Sequence, residues 1–240
     1  MKTATEVSRL DTNSIRQSVA SQRIISAHQA NYLPNLSFFA KMLQADIFVA
    51  VGNLQFGKHD GWQQRNLLPN GQGNLWLTVP VEGNMHTKLK DVKICHHRDW
   101  QQKHLRTLYL RYPKAAHTPL MKSLVKIYSH KWERLFDLNI ALIKVIAAAL
   151  EVRTPLIIDE EITGQRHDLI INLCQKYQAL HHLAGRGSLN YMDADYLNRL
   201  RARGITTTFL PQDITSRFPY SAIHYLLSRG VKWTRRVLRA

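Results

Sequence analysis

The sequence predicts an α/β fold that has a mainly parallel sheet, flanking helices and a helical middle segment. The first observation is that short runs of β-branched and apolar residues alternate with amphipathic segments along the chain. The second is the continuous apolar run at residues 47–51, which is typical of a strand buried on both faces. The third is that residues 98–150 carry apolar side chains at helical spacing.

Each strand is predicted from a short apolar run that is bounded by turn-forming residues. Residues 57–73 lie between two of these runs and are rich in Gly, Asn and Gln, so we expect a loop or a hairpin with a long tip there. In chain order, strands are predicted at residues 24–27, 47–51, 75–81, 155–158, 182–185 and 205–210.

The helices are predicted from apolar residues that recur at intervals of three and four. Phe38 and Met42 are four residues apart, and so are Phe39 and Leu43. Pro113 is expected to end one helix, and Gly204 is expected to cap another. The predicted helices cover residues 35–45, 99–112, 120–131, 135–150, 168–177, 195–203 and 220–228, and the last of these is expected to be the final helix.

The composition is that of a globular protein, with 45% hydrophobic and 21% charged residues. No apolar run reaches the ~20 residues that a membrane-spanning helix needs. Residues 1–23 are polar and charged, unlike a secretory signal, so we expect a polar segment followed by one domain at 24–240. Cys95 and Cys174 lie in no motif, and free cysteines without a signal favour the cytoplasm.

The strongest feature of the composition is its positive charge. Lys and Arg total 33 against 17 Asp and Glu, which gives a net charge of +16. The excess is concentrated at residues 98–134 and 229–239. A field of this sign attracts anions, so we expect an anionic small molecule, a nucleotide or sugar nucleotide, as ligand. Nucleic acid is an alternative partner, and a surface that serves only solubility is another.

Two weaker features have plain structural alternatives. Residues 231–240 could lie on an anionic lipid surface, but a packed C-terminal helix is the favoured prediction. Cys95, His96 and His97 are consecutive, whereas a zinc site needs about four converging ligands at paired spacings. We therefore predict a strand end at this tripeptide and no metal site.

Three segments are expected at the carboxyl ends of the strands, where ligands bind in sheets of this kind. They cover residues 28–34, 52–65 and 185–191. The first is the most polar: His28 could act as a general base, Gln29 and Asn31 could orient a substrate, and Tyr32 could stack on a ring. A polar loop whose histidine caps a neighbouring group is the structural alternative.

The other two segments combine glycines with cations. Lys58, Trp62 and Arg65 lie in or beside a glycine-framed loop, where the two cations suit phosphate and the ring suits stacking. A solvated hairpin tip is the alternative. Gly185 and Arg186 open a Gly-Arg-Gly-Ser sequence after a strand, which suits an anion-binding turn, although a Gly-x-Gly alone has low specificity.

The order of these motifs resembles that of the WbqC-like family of bacterial polysaccharide gene clusters. The family pattern is a His-Gln-Pro-Asn-Tyr-Leu-Pro type motif, an apolar helix, an Asp before a strand, Gln-Phe-x-Lys, Trp-Gln-x-Arg-Asn and a Trp-Leu-Thr-Val-Pro-Val strand. The matching residues here are 28–34, 38–42, 45–49, 55–58, 62–66 and 76–81, followed by 182–185, 191–193 and 218–227. Departures include Ala30, Asn35 and Ser37, and Gly52-Asn53 where the family has an acidic pair.

The resemblance implies a glycine or other aminoacyl transferase that acts on an amino sugar or sugar nucleotide in O-antigen synthesis. In that reading His28 is the base, Gln29 and Asn31 orient the reacting groups, Tyr32 stacks, and Lys58 and Arg65 bind phosphate. The acyl donor stays open among an adenylate, a coenzyme A thioester and a charged tRNA, and no cofactor is assigned. The alternative is a basic nucleotide- or nucleic-acid-binding protein without activity, in which the missing acidic pair has removed catalysis.

The segment of strand, histidine motif, helix and strand is also similar to that of nucleotidylyltransferases with a His-x-x-His loop. The second histidine of that loop is absent, because Asn31 stands three residues after His28. This second resemblance concerns only the order of the strands, the motif and the helix, and it implies no shared activity.

Overall fold

The computed structural model describes residues 23–57, 61–71, 73–84, 86–96, 99–211 and 214–239, and its centre is a parallel sheet of five strands. The sheet confirms the predicted α/β class. The strands in the described residues are β1 (Ile24–Gln29), β2 (Ile47–Val51), β3 (Arg65–Asn70), β4 (Gly73–Thr78), β5 (Val81–Glu82), β6 (Lys93–Ile94), β7 (Leu156–Asp159), β8 (His181–Ala184) and β9 (Thr206–Phe209).

Helices cover both faces of this sheet. In the described residues they are α1 (Leu36–Leu43), α2 (Trp100–Arg111), α3 (Pro119–Ser129), α4 (Leu135–Ala149), α5 (His167–Lys176), α6 (Ala194–Arg201), α7 (Ile214–Arg217), α8 (Ala222–Ser228) and α9 (Val231–Arg239). Short 3-10 turns lie at Leu89–Asp91, Pro113–Ala115 and Arg186–Asn190.

The strand order in the central sheet is β7-β2-β1-β8-β9, and every neighbouring pair is parallel. In chain order, β2 and β7 therefore lie on one side of β1, and β8 and β9 lie on the other side. The strand order reverses between β1 and β8. In open parallel sheets this reversal leaves a crevice outside the carboxyl ends of the two strands.

The sheet is buried on both faces, as the apolar run of β2 predicts. Phe48 and Ala50 face one core, which also contains residues of α1 to α4, α8 and α9. Val49 and Val51 face the other core, which contains residues of α5 and α6. The alternation follows from the two-residue period of a strand, and an apolar residue is needed at each of these positions because each is buried.

The structure differs from the predicted elements between residues 57 and 82. Strand β3 was not predicted, and it pairs with β4 as an antiparallel hairpin apart from the central sheet. Its sequence, Arg-Asn-Leu-Leu-Pro-Asn, contains Pro69. Proline has no N–H to donate to a strand ladder, so the local sequence predicts a loop at this position. The predicted strand at 75–81 is two strands, because the chain leaves β4 at Thr78 and pairs β5 with β6.

The C-terminal region contains a second helix after the one predicted at residues 220–228. Helix α8 is followed by α9, and Gly230 lies between them with a φ of 82°, a conformation that suits glycine. Trp233 stacks with Tyr225, and Leu238 is buried in the core. The favoured prediction of a packed C-terminal helix is thus confirmed, because the apolar face of α9 contacts the protein itself.

Buried asparagine side chains hold the loop that follows β1. Asn139 is fully buried in α4, and its Nδ2 donates to the carbonyls of Ala30 and Gln63, each at 2.8 Å. Asn66 is also buried, and its Nδ2 donates to the carbonyls of Leu33, at 2.8 Å, and Tyr32. These bonds satisfy backbone acceptors in a loop that forms no regular ladder, and they join it to the segment before β3.

We predict that Asn139→Ala destabilises the fold by about 2–4 kcal/mol, since each buried carbonyl left without its donor costs roughly 1–3 kcal/mol. The free energy of unfolding is measured by urea denaturation. Asn198→Ala is the matched control, because Asn198 is exposed in helix α6 and reports the intrinsic helix preference of the same substitution. Equal stabilities of the two variants would contradict this role of Asn139.

Candidate functional site

A cleft of about 870 Å³ lies at the carboxyl ends of β1 and β8, where the strand order reverses. The two strands pair only at Ile24 with His181 and at Ile25 with His182, whereas β1 and β2 remain paired to the last residue of each. Strands β1 and β8 therefore separate before their carboxyl ends, and the gap forms the floor of the cleft.

The structure brings together six of the nine residues that the sequence predicts for the site. All six line the cleft: His28, Gln29, Asn31, Trp62, Gly185 and Arg186. They come from the loop after β1, the segment before β3 and the turn after β8, so segments far apart in the chain meet at one edge of the sheet. Of the other three, Lys58 lies outside the described residues, and Tyr32 and Arg65 are not among the residues that line the cleft.

Tyr32 is a correction to the predicted site. Its side chain is fully buried, and its hydroxyl hydrogen-bonds the hydroxyl of Tyr128 at 2.5 Å and Nδ1 of His104 at 2.8 Å. Burial raises the pKa of Tyr32 well above its usual value, so the phenol stays protonated. A ring enclosed between α2 and α3 cannot stack on a ligand, and Tyr32 instead fixes the loop to the helical middle segment.

Arg65 is a second correction. Its guanidinium lies 4.4 Å from the centroid of the Trp76 ring, outside the cleft lining. Gly61 makes this position possible, because a Cβ on Gly61 would come within 2.6 Å of Arg65 Nε. The ring of Trp62 also lies beside Trp76, with the two ring centroids 5.7 Å apart. Arg65 therefore supports the aromatic pair beside the cleft.

His28 lies in the cleft and is uncharged at neutral pH. Burial, together with the charge of Lys41, lowers the pKa of His28 to about 3. The ring packs edge-on against Phe38, and Nδ1 lies 2.9 Å from the carbonyl of Gln29. With Nδ1–H donating to that carbonyl, Nε2 keeps a lone pair, so His28 is suited to accept a hydrogen bond from a substrate.

Lys41 is a cleft residue that the sequence reading missed. It is 6% exposed, and its Nζ donates to the carbonyl of Ala27 at 3.1 Å, in the gap between β1 and β8. Burial lowers the pKa of Lys41 to about 7. The signal in the sequence is a lysine inside the apolar stretch Phe38-Phe39-Ala40-Lys41-Met42 of α1, where a charged residue has no solvent to face.

His182 and Gly185 complete the surroundings of Lys41. His182 is 4% exposed, its Nδ1 makes no hydrogen bond within the described residues, and burial and the charge of Lys41 lower its pKa to about 3. A Cβ on Gly185 would lie 3.4 Å from Cδ of Lys41, an ordinary packing distance, so the lysine stem runs directly beside this glycine.

No Asp or Glu is found among the described residues that line the cleft. The two positions where the family has its acidic pair do not line it either. Gly52 is enclosed, since a Cβ there would lie 3.1 Å from Cγ of Glu160, and the Asn53 amide donates to the carbonyls of Glu161 and Ile162. Gly52 and Asn53 therefore lie against the segment after β7, between the lining residues Val51 and Leu54.

The exposed rim of the cleft includes two further residues that were not predicted for the site. Leu189 is 48% exposed and Tyr191 is 50% exposed, and both line the cleft. Large apolar side chains at this exposure beside a polar floor are typical of a surface that a ligand covers. Tyr191 therefore places an exposed aromatic ring at the cleft, whereas the ring of Tyr32 is buried.

Cys95 and His96, at the predicted strand end, directly follow strand β6. His96 bonds the carbonyl of Trp132 through Nε2 at 3.0 Å, Cys95 is buried, and His97 lies outside the described residues. Within the described ranges no group of three or more His, Cys, Asp or Glu side chains could hold a metal ion. No helix in the described part of the chain is long and apolar enough to cross a membrane.

The basic segment forms an exposed surface on α2, α3 and their connections. None of its described residues, 99–134, lines the cleft. Arg134 differs from the rest because it pairs with Asp137 and Glu160 at 2.7 Å each. The exposed cations of this basic surface are Lys103, Arg106, Lys114, Lys122, Lys126 and Lys131.

Comparisons with known proteins place these observations in a family context. The family model described as the WbqC-like protein family matches residues 29–225. The chain is also similar to a protein of Mycobacterium tuberculosis (strain ATCC 25618 / H37Rv) described as uncharacterized protein Rv1507c. The two are 31% identical over 181 residues, which is 73% of this chain and 78% of that protein. No solved structure matches the chain.

We predict that Tyr32→Phe destabilises the fold by about 1–3 kcal/mol, because two buried polar groups lose their partner. Urea denaturation at pH 7 measures the change. Tyr191→Phe is the matched control: its hydroxyl is exposed and bonds Ser188, so its loss should change stability by less than about 0.5 kcal/mol. The buried role of Tyr32 is refuted if Tyr32→Phe is as stable as the control.

Proposed function

The chain belongs to the WbqC-like protein family, and on that premise we propose that it is a transferase that binds a sugar nucleotide in the cleft between β1 and β8. The reaction would move an acyl or aminoacyl group, such as glycine, onto the amine of the sugar, in the synthesis of surface polysaccharide (O-antigen). The observation that carries the proposal is the cleft at the strand-order reversal, lined by cations and amides and free of carboxylates among its described residues.

The size and place of the cleft support a nucleotide-sized ligand. Its volume of about 870 Å³ is near the upper end of ordinary ligand pockets, which span roughly 300–1,000 Å³. Strand-order reversals are the usual site of nucleotide binding in open parallel sheets. Trp62 and Tyr191 line the cleft as exposed or half-buried rings, and either ring could pack on a base or on a sugar face.

The polar groups of the floor suit transfer to an amine. Amide formation requires a hydrogen-bond acceptor for the incoming amine and donors for the oxyanion that develops on the acyl carbonyl. His28 presents a neutral ring as the acceptor, and the amides of Gln29 and Asn31 can donate. The Gln29 side chain is itself oriented by its hydrogen bonds to Gln63 and to the carbonyl of Gln55.

The identity of the ligand is testable with a thermal-shift screen of sugar nucleotides, ATP, coenzyme A and charged tRNA, because a ligand of the folded state raises the melting temperature. We expect a sugar nucleotide to stabilise the protein and Arg186→Ala to weaken its binding by about 1.5–3 kcal/mol, the range for hydrogen bonds to charged groups. Arg65→Ala is the matched control and should bind as the parent does, since Arg65 lies on Trp76.

Two results would count against this proposal. One is that no sugar nucleotide stabilises the parent protein at millimolar concentration. The other is that Arg65→Ala loses affinity while Arg186→Ala retains it, which would move the ligand out of the cleft and onto the aromatic pair.

The exposed basic surface favours a second candidate function, the binding of nucleic acid. It presents cations on α2, α3 and their connections, separate from the cleft, and a nucleic acid could lie along it without entering the small-molecule site. This function is compatible with the first if the acyl donor is a charged tRNA.

The second candidate predicts a steep dependence of RNA affinity on salt. Each phosphate contact on a single strand contributes a slope of ~0.7 in log affinity against log salt concentration. The triple variant Lys122→Gln, Lys126→Gln and Lys131→Gln should therefore lower the slope by about 2 if all three contact phosphates. Fluorescence anisotropy with a labelled RNA measures it, and an unchanged slope would make the basic surface a solubilising one.

A further inference from the structure

The ammonium group of Lys41 is a buried cation without a counter-charge in the described part of the protein. It lines the cleft, it is 6% exposed, and its Nζ donates a hydrogen bond to the carbonyl of Ala27. A lysine ammonium has three N–H donors, so this bond uses one of them. Burying an unpaired charge is costly, and proteins place such groups where a partner of opposite charge compensates them.

We propose that Lys41, His182 and Arg186 form a subsite for a phosphate-type anionic group of the ligand, in the gap where β1 and β8 separate. This proposal rests on the cleft of the proposed function and deepens it, because it says which part of a sugar nucleotide occupies the floor. It transfers the predicted phosphate contacts from Lys58 and Arg65 to three residues that line the cleft.

The three groups lie on different elements around one gap. Lys41 comes from α1, His182 from β8, and Arg186 from the turn that follows β8. Nδ1 of His182 has no hydrogen bond among the described residues although the residue is almost fully buried, and an oxygen of a ligand in the cleft could provide that partner. Donors that converge from several directions suit the several oxygens of a phosphate group better than the two oxygens of a carboxylate.

The charged surroundings of Lys41 also favour an anion. His28 on β1 and His182 on β8 face it, and its charge lowers the pKa of both histidines. Helices α7 and α9 also pack on α1, and they are basic as well: Arg217 lies over Phe218, and Arg235 pairs with Glu151. An anion in the gap is therefore attracted by Lys41 and Arg186 and meets no carboxylate among the described lining residues.

Binding at this subsite should be coupled to a proton. In the free protein the pKa of Lys41 is about 7, and a bound anion raises it because opposite charge favours the ammonium. Below pH 7 the lysine is already charged, so anion binding takes up only a small fraction of a proton. Above pH 7 binding must protonate it, so affinity should fall about tenfold per pH unit until the pKa of the bound state is reached.

The test is a calorimetric titration with sodium sulfate and with inorganic pyrophosphate between pH 6.5 and 9, in two buffers that differ in ionisation enthalpy. Sulfate keeps its charge over this pH range, so any proton that is taken up on binding goes to the protein. We expect uptake approaching one proton per site at pH 8 and an affinity that falls from pH 7 to 9. Lys41→Met keeps the length and removes the charge, and it should bind at least tenfold more weakly at pH 6.5, without proton uptake.

Lys144→Met is the matched control, because it removes an exposed lysine of α4 that belongs neither to the cleft lining nor to the basic surface, and it should bind both anions as the parent does. A cooperative urea-unfolding transition of Lys41→Met establishes that the variant is folded, and Lys41→Arg provides a second variant that keeps the charge without the proton uptake near pH 8. The subsite is refuted if Lys41→Met binds both anions as tightly as the parent, or if the parent binds neither at millimolar concentration.

These outcomes are independent of the transferase proposal. If sulfate binds with the expected proton uptake but no sugar nucleotide stabilises the protein, the subsite stands and the proposed substrate fails. If a sugar nucleotide stabilises Lys41→Met as much as the parent, the substrate stands and the subsite is overturned.

Discussion

The cleft depends on buried hydrogen bonds that link side-chain amides to backbone carbonyls. After β1 the chain must turn from the sheet toward α1, and Leu33 adopts a φ of 44° on the way. Carbonyls in such a turn have no ladder partners, and Asn139 and Asn66 supply the donors that they lack. Because Asn139 bonds both Ala30 and Gln63, one side chain fixes the relative position of two cleft-forming loops.

The second constraint is electrostatic. Strands β1 and β8 part after two registered pairs, and the stem of Lys41 passes Gly185 to fill the opening with a donor. The same burial that lowers the pKa of Lys41 also keeps His28 and His182 neutral. A site of this composition is suited to receive negative charge.

The positions of the substituted residues bear on how this chain relates to its family. Gly52 and Asn53 stand where the family has acidic residues, yet both pack against the segment after β7 and outside the cleft lining. The lining itself keeps His28, Gln29, Asn31 and Trp62 of the family motifs. The basic surface on α2 and α3 is separate from these residues. The cations that account for much of the net charge are therefore not the cations that line the cleft.

The local sequence determined most of the elements and the edge of the sheet at which the site lies. The apolar run of β2, the helical spacing of the middle segment and the turn at Gly204 are all patterns whose causes lie within a few residues of each other. The exceptions are instructive: β3 contains Pro69 and forms a strand only because β4 pairs with it, and α9 is held by contacts with α8.

Only the tertiary structure decided which side chains of the polar segments reach the cleft. Tyr32 and Asn31 are neighbours in a loop without a period, so their opposite directions follow from the turn at Leu33 and the partners on α2 and α3. Lys41 reads locally as one charge on a helix, and it enters the site because β1 and β8 come together across 150 residues of chain and then separate. Strand order is set by packing between distant segments, and no local pattern of residues encodes it.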